Sequence, residues 1–187
     1  MSASEEPSTE RPFQKRGERE IWKGTVISVA EGTFASPAGD EFQRDLVHHP
    51  GAVSVVPVDG DEVVLVRQYR AAIDREVLEI PAGKRDVEGE DLEVTANREL
   101  AEEVGLRAGR LEKLAEFYNS LGFSDELSHV FLGTDLTEVP KDLQGVEEQH
   151  MTIERIRLDD VPALIAAREL VDAKTVIGLL LARERLG

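Results

Sequence analysis

Apolar residues fall into short β-prone runs over most of this chain and into helical spacing at only three places. Ala52 to Val56 and Val63 to Tyr69 are valine-rich runs joined by Pro57-Val58-Asp59-Gly60-Asp61, which predicts a hairpin of buried strands. Val77 to Ile80 predicts a third short strand. Leu111 to Tyr118 and Leu127 to Gly133 predict two more around the loop Ser120 to Glu126, and Thr152 to Leu158 another. Leu92, Val94, Ala96, Leu100 and Val104 form the apolar side of a first helix, entered through a Pro81-Ala82-Gly83 turn and closed by Gly105 and Leu106 in a left-handed cap. Asp160 to Glu169 and Asp172 to Leu186 predict two further helices, each beginning near an aspartate able to cap the first free amides.

Ahead of this core, Ile21 to Ala30 and Thr33 to Val47 contain β-prone pieces broken at Gly32 and at the Ser36-Pro37-Ala38-Gly39-Asp40 turn, the pattern of a small antiparallel sheet. The polar, proline-containing start reads as a flexible tail. The expected organisation is a tail over 1–18, a small β-sheet region over 19–50 and a main domain over 51–187. Strands alternating with an inner and an outer helix predict an α+β fold, a mixed sheet between helices in an α/β/α sandwich.

Composition narrows the function classes. The chain has 187 residues, enough for one domain with a sizeable core. It has no cysteine, so chemistry must use oxygen and nitrogen groups, and a reducing cytoplasm is the expected location. No run reaches the ~20 apolar residues that span a bilayer, and the charged start lacks the apolar core of a secretory signal, so no membrane partner is expected. A formal net charge of -16 argues against nucleic acid as partner, because a phosphate backbone needs a basic surface. An anionic small molecule would need local compensation from cations and a few arginines. Arg67 and Arg70, at the end of an apolar strand, are the candidates, with Arg44 a further one, since guanidinium grips phosphate in a bidentate fork.

The densest chemistry lies between Gly83 and Leu106. Residues three and four apart on a helix are neighbours, so Glu99, Glu102 and Glu103 converge on one patch, with Arg98 one turn before Glu102. Like charges at that spacing mildly destabilise a helix, whereas Mg²⁺ or Mn²⁺ would turn the repulsion into coordination by hard oxygens. A solvated acidic face is the competing reading of the same glutamates.

The run Gly83, Glu90, Arg98-Glu99-Leu100, Glu102-Glu103, Gly105-Leu106 resembles the signature box of the Nudix hydrolases, enzymes that cleave nucleoside diphosphates linked to another moiety. It has one residue more than the family pattern between Gly83 and Glu90. The flanking HPGAVSVVPVDGDEVVLVRQYR, EVLEIPAGK, FYNSLGFSDE and DAKT resemble the ADP-ribose pyrophosphatase subgroup over roughly residues 48–182. That subgroup often has a proline in a phrase like SPGFSDE where this chain has Leu121, a departure that leaves other nucleoside diphosphate sugars or dinucleotides open as substrates.

The resemblance implies a Nudix-like fold and metal-dependent splitting of ADP-ribose into AMP and ribose 5-phosphate. Glu99, Glu103 and the backbone carbonyl of Ala82 would then be metal ligands, joined by Glu102, and Arg98 would orient the carboxylates. It also implies a general base from a loop glutamate, for which Glu148 is the first choice and Glu147 the second, with His150 a weaker candidate. Arg67, Arg70, Glu79, Trp22 and Phe123 are the expected substrate-binding residues, and Phe34, Phe42, Tyr69, Phe117 and Tyr118 are further aromatics available for adenine. Relatives of this kind share their N-terminal sheets between subunits, and a sheet too small to bury both faces favours a homodimer. A catalytically silent ADP-ribose sensor on the same fold and a partner-binding acidic helix are the alternatives from other classes.

Overall fold

A computed structural model describes residues 12–141 and 149–187 and divides them into two compact units. The first comprises residues 12–49 together with Ser120–Asp125. Its strands β1 (Gln14–Lys23), β2 (Ser28–Ala35) and β3 (Glu41–His48) form an antiparallel sheet in the order β1-β2-β3. Two expectations change here. Gln14 to Glu18, assigned to the tail, are the first half of β1, because pairing with β2 satisfies their backbone although no side chain of β1 is buried. Gly32 does not interrupt β2; the Phe34 ring and Leu46 lie over it, and a β-carbon there would come within 2.7 Å of that ring. The break falls instead between β1 and β2, where Gly24 N donates to the Ile27 carbonyl at 2.8 Å.

Segment Ser120–Asp125 is held to β3 by Val47 N donating to the Phe123 carbonyl at 2.7 Å and Asp125 N donating to the Val47 carbonyl at 3.1 Å. His48 bridges two carboxylates, Nδ1 with Asp125 at 2.5 Å and Nε2 with Glu18 at 2.8 Å.

The second unit, Pro50–Asn119 and Glu126–Gly187, contains β4 (Ala52–Asp59), β5 (Glu62–Arg70), β6 (Arg75–Glu79), β7 (Ala82–Lys84), α1 (Leu92–Val104), β8 (Leu106–Tyr118), β9 (Leu127–Glu138), β10 (Thr152–Arg157), α2 (Val161–Ala166) and α3 (Ala173–Leu186). The seven strands run β10-β5-β4-β9-β8, with β6 on β5 and β7 on β4. β4 and β9 are parallel and the other pairs antiparallel, so the sheet is mixed. Each face buries its own apolar layer. Val53, Val55, Val64 and Val66 pack with Ala96, Leu100 and Val104 of α1, while Val56, Val63, Leu65 and Val130 pack with Leu179 and Ala182 of α3. This is the predicted α/β/α layering.

Local differences have local causes. Pro57 lies inside β4, not in the turn, at the place where one edge of β4 passes from β7 to β5, so its missing N–H costs no ladder bond there. Pro81-Ala82-Gly83 is not a free turn, because Ala82 to Lys84 pair with β4 as β7. Val94 is exposed: it lies about 200° around the helix from the buried Ala96. The Asp160 carboxylate accepts no capping hydrogen bond, because a 3₁₀ turn from Leu158 to Asp160 runs directly into a helix that ends at Ala166. Asp172 does cap its helix, accepting from Thr175 N at 2.9 Å.

Candidate active site

The carboxylates of α1 are placed by both ends of the helix. Asp91 caps the start by accepting from Glu93 N, and Gly105 ends it in the left-handed conformation at φ 70°, its N–H directed to the Leu100 and Ala101 carbonyls. Asn97 Oδ1 accepts from Ala108 N at 2.9 Å, tying the middle of the helix to β8. With Leu100 and Ala96 wholly buried, the face bearing Arg98, Glu99, Glu102 and Glu103 is fixed relative to β7.

Arg98 gathers this face. It donates to Glu90 through Nε at 3.3 Å and Nη2 at 3.1 Å, and through Nη1 to Glu99 at 2.7 Å and Glu102 at 3.3 Å. Glu90 also accepts from Thr95 Oγ1 at 2.7 Å, so the longer loop before the helix still delivers Glu90 to the patch, with Gly89 at φ 77°. Glu103 is 5 % exposed, and its Oε2 accepts from Ala82 N at 3.1 Å. Glu99 lies over Gly83, whose missing side chain makes room for the carboxylate.

These positions set the electrostatics. Burial pushes Glu99 up to about 7, against the pull of Arg98 and with the help of Glu102. The hydrogen bonds from Arg98 and then Thr95 hold Glu90 below the usual carboxylate range, and the Arg98 guanidinium is raised chiefly by Glu90. Among the described residues, no three His, Cys, Asp or Glu side chains already form a metal cage. The donor set nonetheless fits a hard divalent cation: three carboxylates, Glu90, Glu99 and Glu102, bond one guanidinium, Glu103 stands on the Ala82 amide, and a second positive centre would relieve the Glu99 carboxyl that burial pushes up to about 7. Glu99, Glu102, Glu103 and the Ala82 carbonyl are the groups able to hold it.

The substrate-binding candidates separate. Glu79, 2 % exposed, accepts from Arg70 Nε and Nη2, both at 2.6 Å, and from Lys174 Nζ at 2.6 Å. Arg70 is spaced by four residues from Val66, and Glu79 stands opposite Val66 across the ladder, so both share the α1 face. Glu103 contributes to raising the Arg70 pKa, after Glu79 and Asp172. Arg67 points to the other face, where Glu154 engages its Nε at 2.5 Å and Nη2 at 3.2 Å. The structure therefore brings Arg70 and Glu79 to the carboxylate face and leaves Arg67 away from it.

Trp22 and Phe123 belong to the first unit, both 55 % exposed. The Trp22 ring folds over Gly24, Phe34 stacks on Phe42 with centroids 5.6 Å apart, and Arg44 lies 4.7 Å over the Phe42 ring. Glu147 and Glu148 lie outside the described residues, and His150 is exposed.

Sequence reasoning missed Lys174 and the clasp of His48 with Asp125 and Glu18. The aspartate before the helical run at Ala173 signals the cap, but the contact of Lys174 with Glu79 spans 95 residues and leaves no local trace.

A mixed sheet between helices, with a glutamate-rich helix packed beside a glycine-containing strand, is the setting in which the comparisons with known proteins find this chain. The NUDIX domain family matches residues 48–176. The ADP-ribose pyrophosphatase of Bacillus subtilis (strain 168) is 38% identical over 161 residues, 86% of each chain. The methanol dehydrogenase activator of Bacillus methanolicus is 34% identical over 161 residues, again 86% of each. A solved structure described as an ADP compounds hydrolase superposes with a TM-score of 0.83 at 23% identity, covering 96% of both chains, and shows the same fold. The chain belongs to the NUDIX family and is a Nudix hydrolase.

Proposed function

We propose that this enzyme hydrolyses the pyrophosphate bond of ADP-ribose, adding water to give AMP and ribose 5-phosphate, in a reaction dependent on Mg²⁺ or Mn²⁺. The observation that carries the reaction class is the gathering of Glu90, Glu99 and Glu102 on Arg98, with Glu103 set beside them at the Ala82 amide. The substrate rests on the Bacillus subtilis relative and on the flanking segments that resemble its subgroup.

A divalent cation held here would neutralise phosphoryl oxygens and lower the pKa of water. The chain's own residues do the positioning. Arg98 orients Glu90, Glu99 and Glu102, and the Ala82 amide orients Glu103. Arg70 presents its guanidinium on the same face, its fork with Glu79 leaving Nη1 outside that pair. Glu148 is assigned as the base that accepts the proton of the attacking water, and Glu147 is the next choice. Glu148→Gln should lower kcat more than it raises KM; loss in Glu147→Gln alone would exchange the two roles.

No helix among the described residues is long and apolar enough to cross a membrane. A cysteine-free chain suits a reducing cytoplasm. A homodimer is supported by the apolar side chains that the first unit leaves exposed on and beside β1, Phe13, Ile21 and Trp22, with Trp22 as a residue a partner subunit would use. Sedimentation equilibrium tests this assembly.

Another nucleoside diphosphate sugar or a dinucleotide is the second reading, favoured by Leu121, which is 75 % exposed where the subgroup often has proline. A silent sensor is disfavoured by the complete carboxylate set. Assaying ADP-ribose beside a panel of nucleotide sugars and dinucleotides tests the choice: preferential release of AMP from ADP-ribose supports the proposal, and preferential cleavage of another member moves the substrate.

A further inference from the structure

Lys174 stands outside every role assigned above, yet it links the last helix to the carboxylate face. Its Nζ donates to Glu79 Oε2 at 2.6 Å and to Asp172 Oδ1 at 2.8 Å. Asp172 is the N-cap of α3, its Oδ2 accepting from Thr175 N at 2.9 Å and from Thr175 Oγ1 at 2.6 Å. Thr175 Oγ1 in turn accepts from Ile80 N at 3.0 Å, one residue beyond Glu79. Helix start, strand end and buried carboxylate are thus joined through one lysine.

The charges explain why a lysine is needed. Glu79 is buried, and an unpaired carboxylate there would be strongly disfavoured. Arg70 alone could neutralise it, but the guanidinium would then be committed to a neutral fork with little attraction left for an anion. Asp172 does not compete fully for Lys174, because the positive end of α3 and the two Thr175 donors also hold it. Burial pushes Asp172 up, but Lys174 and Thr175 outweigh burial and keep it below the usual carboxylate range, so it stays ionised. Lys174 is therefore available to share Glu79, and Arg70, with a side chain 42 % exposed, keeps positive potential toward the site.

We propose that Lys174 is a positioning residue that shares the charge of Glu79 from the α3 side and so leaves the positive field of the Arg70 guanidinium less cancelled and oriented toward a substrate phosphate. This deepens the reading of Arg70 as a phosphate contact and rests on it.

Steady-state kinetics on ADP-ribose with Mg²⁺, together with calorimetric binding of ADP, test the proposal in Lys174→Met, Lys174→Arg, Glu79→Gln and the Glu79→Gln/Lys174→Met pair. Lys174→Met should raise KM and weaken ADP binding by about tenfold with kcat within about threefold of wild type, and Lys174→Arg should recover most of that loss. On the Glu79→Gln background, Lys174→Met should add less than about twofold, because the charge it answers is already gone. KM and ADP affinity within about twofold of wild type in Lys174→Met, or an equal loss on both backgrounds, would overturn the proposal. If Lys174→Met does not fold, Lys174→Gln takes its place in the same comparison on both backgrounds, with the same two outcomes. Failure of wild type to cleave ADP-ribose would instead remove the substrate assignment, and ADP binding would still decide the role of Lys174.

Discussion

The Glu99 carboxyl carbon lies 1.7 Å from where a β-carbon on Gly83 would stand. No residue other than glycine fits at position 83 while Glu99 keeps its place. The contact is with the far end of a flexible side chain, so Gly83→Ala should displace Glu99 and spare the fold. Displacing a positioned group by about 1 Å can cost about 100-fold, and turnover should fall by that order while the thermal midpoint in chelator stays close to wild type. Turnover near the wild-type rate would show that the position of Glu99 is immaterial.

Arg98 should be irreplaceable by lysine. One ammonium cannot fork to Glu90 while also reaching Glu99 and Glu102, as the guanidinium does. Replacing a group that orients metal ligands typically costs about 10–100-fold, and both Arg98→Lys and Arg98→Met should lose kcat/KM in that range. A fully active Arg98→Lys would mean that only the positive charge matters.

The gathering of carboxylates was legible in advance because it is local: Glu99, Glu102 and Glu103 are set by helical spacing alone, and the α/β/α layering by the alternation of strands and helices. What escaped was long-range or steric. Nothing in the Arg67 and Arg70 pair announces that an odd spacing on β5 sends them to opposite faces until the strand is known to run unbroken through both. Val94 looked apolar enough for the core, and only its angle about the helix exposes it. Glu79 reads as one acidic residue at a strand end, and its pairing with Lys174 joins residues far apart in the chain.

Thr175→Val should destabilise the second unit with little change in its packing volume. It leaves the buried Ile80 N–H without its acceptor and takes one donor from Asp172. An unsatisfied buried amide costs about 1–3 kcal/mol, so the urea midpoint should drop with the m-value unchanged. An unchanged midpoint would show that water replaces the hydroxyl.

The His48 clasp predicts a pH-dependent contribution to stability. Asp125 foremost, then Glu18, raises the His48 pKa, against some desolvation. A raised histidine contributes fully below its unfolded value of about 6.5, and the contribution is lost as pH rises through the folded value. The gap in thermal midpoint between wild type and His48→Gln should therefore be widest near pH 6 and shrink toward pH 9. A gap that does not vary with pH would assign the clasp to uncharged hydrogen bonding.

Glu103 offers the most direct test of metal-dependent chemistry on this helix, being buried, bonded to the Ala82 amide and central to the proposed ligand set. The decisive measurement is AMP and ribose 5-phosphate release from ADP-ribose by wild type and Glu103→Gln, each with Mg²⁺, with Mn²⁺ and with chelator. Wild type should give equal amounts of the two products only with a divalent ion, and a folded Glu103→Gln should lose turnover by orders of magnitude. Turnover that survives chelator, or a Glu103→Gln variant as active as wild type, would contradict it.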